Sequence, residues 1–172
     1  MNGAFPTHIA HFGRWLVMGW LGILTAVHAA SVTTEDFDLS ATEARLVYLD
    51  FWASWCAPCA ASFPWMQDIA KRFAGQGLQV VAVNVDRDRA AAERFIDRHQ
   101  PRFQVVFDPN GKIAKAYGIR TMPSSFLVRP DGTRLLAHTG FRLSDRAELE
   151  RSIAEALARA DDSPAAPGAG HE

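Results

Sequence analysis

The chain has 172 residues, 48% of them hydrophobic, and a formal net charge of −1. That suits one globular domain with an ordinary core. Its Lys and Arg residues are scattered singly, so there is no basic stripe of the kind that binds nucleic acid.

The amino-terminal stretch reads as an export signal. Arg14 precedes an apolar run of 13 residues, 15–27, and no acidic residue occurs before Glu35. The run is short of the roughly 20 residues that a membrane span needs. Val27-His28-Ala29 puts small residues where a signal peptidase cuts, so residues 1–29 are expected to be a signal peptide. The alternative is an uncleaved anchor that tethers the domain to the membrane. Either way the chain is expected to be exported to the periplasm, where a cysteine pair can stay oxidised.

Residues 31–44 are polar and read as loop or edge structure. Residues 45–52, "RLVYLDFW", are nearly continuously apolar and predict a buried parallel strand. A helix is expected over 57–74, kinked at Pro64 and ended by "GQG". A second buried strand is predicted at 78–85. A helix over 88–100, with Ala92, Phe95 and Ile96 on one face, is closed by Pro101. A third strand is predicted at 103–107, then the turn "DPNG" and a short helix at 112–117. The segment from Ser124 to Thr139 reads as a hairpin around Pro130-Asp131-Gly132. A last helix is expected to start at a Ser144 cap, with Leu149, Ile153 and Leu157 on one face. The domain is expected to span 30–160, followed by a disordered tail at 161–172. Strand–helix alternation ending in a hairpin predicts an α/β mixed sheet with helices on both faces.

The only cysteines are Cys56 and Cys59. They fall where a strand gives way to a helix, so Cys56 is expected near the N-cap and Cys59 in the first turn. Residues three apart on a helix are neighbours, so the sulfurs can meet. Free backbone N–H groups and the positive end of the helix dipole stabilise a thiolate. A thiol pKa of about 8.5 can fall to between roughly 3.5 and 7.5 in such a motif. Cys56 is expected to be the exposed nucleophile, and Cys59 the shielded thiol that resolves a mixed disulfide. Pro58 is tolerated in a first turn. A structural staple is the first alternative, but so short a loop stabilises little. Zinc is the second, but it needs about four ligands, and His99 and His138 stand alone in the sequence, His138 as a satisfied side chain on a strand. No cofactor and no metal are expected. Trp52 is assigned to the core and Trp55 to the contact surface, in an apolar rim around Cys56.

"DFWASWCAPC" resembles the active-site segment of the thioredoxin superfamily, and "YGIRTMPSSFLV", Tyr117 to Val128, resembles its second signature, which ends in a cis-proline facing the dithiol. In plain thioredoxins only a short link joins the positions of Asn84 and Tyr117. Here 32 residues intervene, and this helix-and-strand insertion is similar to that of exported TlpA/ResA-like thiol-disulfide oxidoreductases. Peroxiredoxins share the insertion, but their Pro-x-x-x-Thr-x-x-Cys pattern is absent, with Leu49 and Ala53 in the Pro and Thr places.

The resemblance implies a thioredoxin-like fold and a dithiol enzyme whose partners are protein disulfides and a membrane thiol-reductant transporter. It implies a cis-Pro123 that sets the Met122 backbone beside Cys56 for pairing with an extended partner, with Trp55 and Pro58 in the contact surface. The plain alternative for Pro123 is a turn proline before an edge strand. Where TlpA/ResA-like chains often carry a Glu three residues after the second cysteine, this chain has Ser62. Asp50 occupies the place of the buried Asp that thioredoxins keep below that cysteine, and a partner lysine would fall at Ala82. Burial should raise the Asp50 pKa and suit it to accept the Cys59 proton; the alternative is a locally hydrogen-bonded Asp. Reduction of protein disulfides is the leading expectation. Disulfide oxidation or isomerisation, and a copper- or haem-delivery thiol module, are the others.

Overall fold

The computed structural model describes residues 31–33 and 37–161; the export segment and the tail beyond Asp161 lie outside the described residues. Six strands form one mixed sheet: β1 (Ser31–Thr33), β2 (Leu46–Trp52), β3 (Leu78–Asn84), β4 (Gln104–Phe107), β5 (Ser124–Val128) and β6 (Arg134–Thr139), in the spatial order β1-β4-β3-β2-β5-β6. The helices are α1 (Ala57–Phe73), α2 (Arg89–His99), α3 (Lys112–Tyr117) and α4 (Arg146–Asp161). β1 to β4 run parallel, and β5 and β6 are antiparallel to their neighbours.

All seven residues of β2 are buried because both of its faces are covered. Alternate side chains of a strand point to opposite faces. Leu46, Tyr48 and Trp52 join the core built with α1, α2 and α4, while Val47, Leu49 and Phe51 face α3 and the Phe37–Leu39 segment. Helices thus lie on both faces, unevenly. Three pack on one side. The other is closed by one six-residue helix and by the Phe51, Tyr117 and Phe126 rings, whose centroids lie 5.2 to 6.0 Å apart. The insertion between Asn84 and Tyr117 supplies α2 and β4. β4 slots between β3 and the edge strand β1, and α2 adds Phe95 to a cluster with Trp52 and Phe63, centroids 4.6 to 5.0 Å apart.

Helix ends follow side-chain chemistry. The Asp88 carboxylate accepts the Ala90 N–H at 3.0 Å and caps α2, which closes in a left-handed Gln100 before Pro101. α1 continues through Pro64 to Phe73, and a further turn ends at Gly77, φ 91°. A Cβ at Gly77 would stand 2.7 Å from the Arg45 side chain, and the Gly77 carbonyl accepts the Arg45 and Leu46 amides at 2.9 and 3.2 Å. Only glycine fits that close approach at positive φ.

Two expectations are corrected here. Ser144 does not cap the last helix. A 3-10 turn over Leu143–Asp145 precedes α4, and the Asp145 carboxylate reaches back to accept the Arg142 N–H at 2.9 Å, leaving the Ser144 hydroxyl to bond Asp145 itself at 3.2 Å. α4 also extends through Asp161, one residue into the stretch read as tail.

Leu149, Ile153 and Leu157 of α4 are buried against the sheet. Ile153→Ala should destabilise the oxidised domain by about 2–5 kcal/mol through lost burial and a residual cavity, read as a lower urea midpoint with unchanged slope.

Candidate functional site

The carboxyl ends of β2 and β3 and the amino end of α1 meet at one edge of the sheet. β2 ends at Trp52, three residues of loop follow, and Cys56 is the N-cap of α1 in extended conformation, with Pro58 in the first turn. Cys56 and Cys59 form a disulfide with Cα atoms 5.3 Å apart. The Cys59 N–H points at the Cys56 sulfur at 3.3 Å. One of the four unpaired amides of the helix start is therefore directed at the sulfur, and no acidic side chain lies in the first turn to oppose a negative charge there.

The expected exposure of Cys56 is corrected. It is only 5% exposed and Cys59 is fully buried, both packed into the core cluster. The order of access is retained, and the exposed group at the tip is Trp55, at 73%. Ala57 and Pro58 are exposed beside it. Trp52 is core, and its indole N–H has no hydrogen-bond partner. Trp65 and Phe63 are core as well; the Trp65 indole donates to Glu150 at 2.8 Å.

The loop before Cys56 is held by a group that sequence reasoning did not single out. Asp86 Oδ2 accepts the Ser54 N–H at 2.7 Å and the Asn84 amide at 2.8 Å. Asn84 Oδ1 in turn accepts the Asp86 N–H at 3.1 Å, and the Val85 N–H bonds the Trp52 carbonyl at 3.0 Å. The signal available in sequence was "NVD", polar residues at the carboxyl end of a largely apolar strand.

The Met122–Pro123 peptide is cis. Phe51 pairs with Ser124, so Met122 and Pro123 extend past the end of β2, at the edge from which the Cys56 loop departs. Met122 packs against the core cluster that includes both cysteines. The Pro123 carbonyl accepts the Gly140 N–H at 2.8 Å, whereas Met122 carries no backbone hydrogen bond among the described residues.

Asp50 sits in mid-strand, 2% exposed. Its position in the alternation matches Tyr48 and Trp52, so its side chain is directed to the face that α1 and Cys59 cover. Burial pushes its carboxyl well above the usual range, opposed only by a hydrogen bond from Ser125. Its Oδ2 has no hydrogen-bond partner among the described residues. Burial, and secondarily the Asp50 charge, also raises the Tyr48 phenol. Ala82 lies directly across from Asp50 on β3, so no lysine stands there. Ser62 is buried, and its hydroxyl donates to the Cys59 carbonyl at 2.9 Å. His99 stacks on Phe95 with centroids 4.1 Å apart, and burial, then Arg98, lowers its pKa. His138 lies on β6 with its Nε2 3.4 Å from the Asp145 carboxylate. Among the described residues, no three His, Cys, Asp or Glu side chains gather as a metal site would need.

Known proteins resemble this arrangement. The AhpC/TSA family matches residues 24–133. The thiol-disulfide oxidoreductase ResA of Geobacillus kaustophilus is 34% identical over 155 residues, covering 84% of this chain and 87% of that one. The ResA of Bacillus subtilis is 36% identical over 103 residues, 60% of this chain and 58% of its own length, and the chain spans a similar share, about three fifths or less, of several other ResA relatives. A crystal structure described as a thiol:disulfide interchange protein DsbE from Chlorobium tepidum superposes with TM-score 0.63 at 47% identity, over 65% of this chain and 79% of that one. The fold is thioredoxin-like, as the resemblance implied.

The raised Asp50 pKa carries a sign. With the folded pKa above the unfolded one, the unfolded state releases its proton first, so Asp50 makes the protein less stable as pH rises from about 4 through the folded pKa. Asp50→Asn should therefore gain stability over the wild type between pH 4 and neutrality, compared by denaturant midpoints of the oxidised proteins at each pH.

Proposed function

This chain belongs to the AhpC/TSA family, grouping within it with the ResA relatives, and we propose that it is an exported thiol-disulfide oxidoreductase that reduces protein disulfides. The observation that carries this reading is the Cys59 N–H directed at the Cys56 sulfur from a helix start. That contact favours Cys56 as a thiolate.

In the reductive direction the Cys56 thiolate attacks one sulfur of a substrate disulfide, forming a mixed disulfide and releasing a substrate thiolate. Cys59 then loses its proton to Asp50 and attacks Cys56. The Cys56–Cys59 bond forms, the bond to substrate breaks, and the second substrate sulfur leaves as a thiolate that takes a proton from solvent. The substrate disulfide has gained two electrons and the dithiol has lost them. Asp50 suits the transfer because burial holds its carboxyl above the usual range, nearer a thiol. The substrate approaches as an extended segment. Trp55 offers it a flat apolar surface beside Pro58, and the Met122 amide and carbonyl, ahead of Pro123, offer strand-like hydrogen bonds. A membrane thiol transporter returns the electrons. Residues 1–29 direct the chain to the periplasm, and no helix among the described residues is long and apolar enough to cross a membrane. A peroxidase reading has little to rest on, since buried Leu49 and Ala53 stand where that chemistry looks for Pro and Thr.

The reduction potential, titrated against glutathione, should fall at or below about −200 mV; a value near −120 mV puts the protein among the strong oxidants and reverses the proposed electron flow. Iodoacetamide should label Cys56 of the reduced protein well before Cys59, with a titration midpoint below the free-thiol value of about 8.5. A Cys59→Ala variant purified from the periplasm should carry disulfide-linked proteins on Cys56. Equal labelling of the two thiols and an empty trap would remove the assigned activity.

A further inference from the structure

A line of polar side chains crosses the sheet on the face that carries Asp50. Asp50 of β2 is paired with Ser125 of β5, and Ser125 with His138 of β6. Residues opposed on neighbouring strands share a face, with Cβ atoms about 4.5–5.5 Å apart. Asp50, Ser125 and His138 therefore stand side by side across three strands. The next row on the same face is Tyr48, Leu127 and Leu136, so the polar row is bounded by mostly apolar packing. The Ser125 hydroxyl lies close enough to Asp50 and the Tyr48 phenol to draw both down against burial. At the outer end, His138 Nε2 lies 3.4 Å from Asp145 Oδ2, and Asp145 is partly exposed.

At the inner end, the buried Asp50 Oδ2 has no hydrogen bond among the described residues, while His138 Nε2 at the outer end faces the Asp145 carboxylate. A buried oxygen left in that state is rare and calls for a reason. The proposed chemistry supplies one. After Asp50 takes the Cys59 proton, that proton sits on a carboxylic acid sealed in the core. It must leave before Asp50 can act again.

We propose that Ser125 and His138 form a proton path joining buried Asp50 to solvent at Asp145, with His138 as its outlet. The proposal rests on Asp50 serving as base for Cys59. The Asp50 proton passes to Ser125 Oγ as the Ser125 hydroxyl proton passes to the imidazole. The imidazolium then releases a proton past Asp145 to water. Asp50 is left as a carboxylate, Ser125 and His138 are unchanged, and nothing in the path is oxidised or reduced. When the disulfide is being reduced, the same path runs inward and supplies the proton that Cys59 needs. The other ionisable groups around the row are Tyr48 beside Asp50, and Arg142 beside Asp145. Arg146 and Glu150 of α4 are paired with Asp68 and Arg72 of α1. His138 is thus a positioning residue that acts through Asp50.

The test is steady-state reduction of insulin disulfides with excess dithiothreitol, followed as a function of pH. His138→Ala should lower turnover by about 3- to 10-fold, a fraction of what a general base contributes, and added imidazole should restore much of the loss. Placed on Asp50→Asn, His138→Ala should cause no further loss. Ser125→Ala should show the same pattern without rescue, and it carries the test if His138→Ala does not fold. A His138→Ala profile that superimposes on the wild type overturns the path, as does a loss that imidazole does not restore and that adds to that of Asp50→Asn. If Asp50→Asn alone leaves turnover and its pH profile unchanged, Asp50 is not the base. That outcome removes the path together with its premise and is distinct from failure at His138 alone.

Discussion

The Cys59 N–H on the Cys56 sulfur is the contact on which the rest of this site depends. It exists because α1 begins at that residue. A helix start leaves amides unpaired, and here the N-cap position is occupied by a thiol side chain rather than the usual hydroxyl or carboxylate. A cap of this kind stabilises the helix and biases the sulfur toward its charged form at once. It also separates the cysteines: the cap sulfur has the amide, while Cys59, one turn in, is closed over by core.

Such a cap works only if the chain enters the helix at a fixed angle, and two constraints fix it. The Asp86 carboxylate holds the Ser54 amide, and Asn84 holds Asp86, so the ends of β2 and β3 position the loop together. Beneath the loop, Trp52 is locked by Phe63 and Phe95. Phe63 lies on α1, one turn beyond Cys59, and Phe95 lies on the inserted helix α2. The insertion thus adds more than an outer strand: it closes the aromatic cluster on which the first turns of α1 rest.

Most of this architecture could be read from local pattern. The largely apolar runs at 46–52 and 78–84, Pro101 and the turn glycines gave elements to within a residue or two, and the strand–CxxC–helix order located the dithiol. What escaped depended on pairing between distant segments. The position of β4 between β3 and β1 follows from register, and no local signal carries it. Asp86 was not singled out because the Ser54 amide it holds lies 32 positions away. The row through Ser125 and His138 exists only once β2, β5 and β6 are aligned. Ser144 was misread for a local reason: the carboxylate of the next residue competes for the same role and takes it.

Two carboxylates near the dithiol show how placement decides chemistry. Asp86 lies at the strand end with an amide, a side-chain amide and its own backbone engaged, which suits a structural acceptor. Asp50 lies in mid-strand with a hydroxyl as its hydrogen-bond partner and one oxygen unpaired, and it faces Ala82 across the sheet. A lysine at Ala82 would offset a buried negative charge and draw the carboxyl back toward its ordinary range. Without one, burial leaves an Asp50 carboxylate with a raised affinity for a proton, and Cys59 is the group on that face that gives one up during turnover. The helix start and the empty lysine position therefore act in opposite directions on neighbouring groups: one holds Cys56 charged, the other keeps a proton close to Cys59.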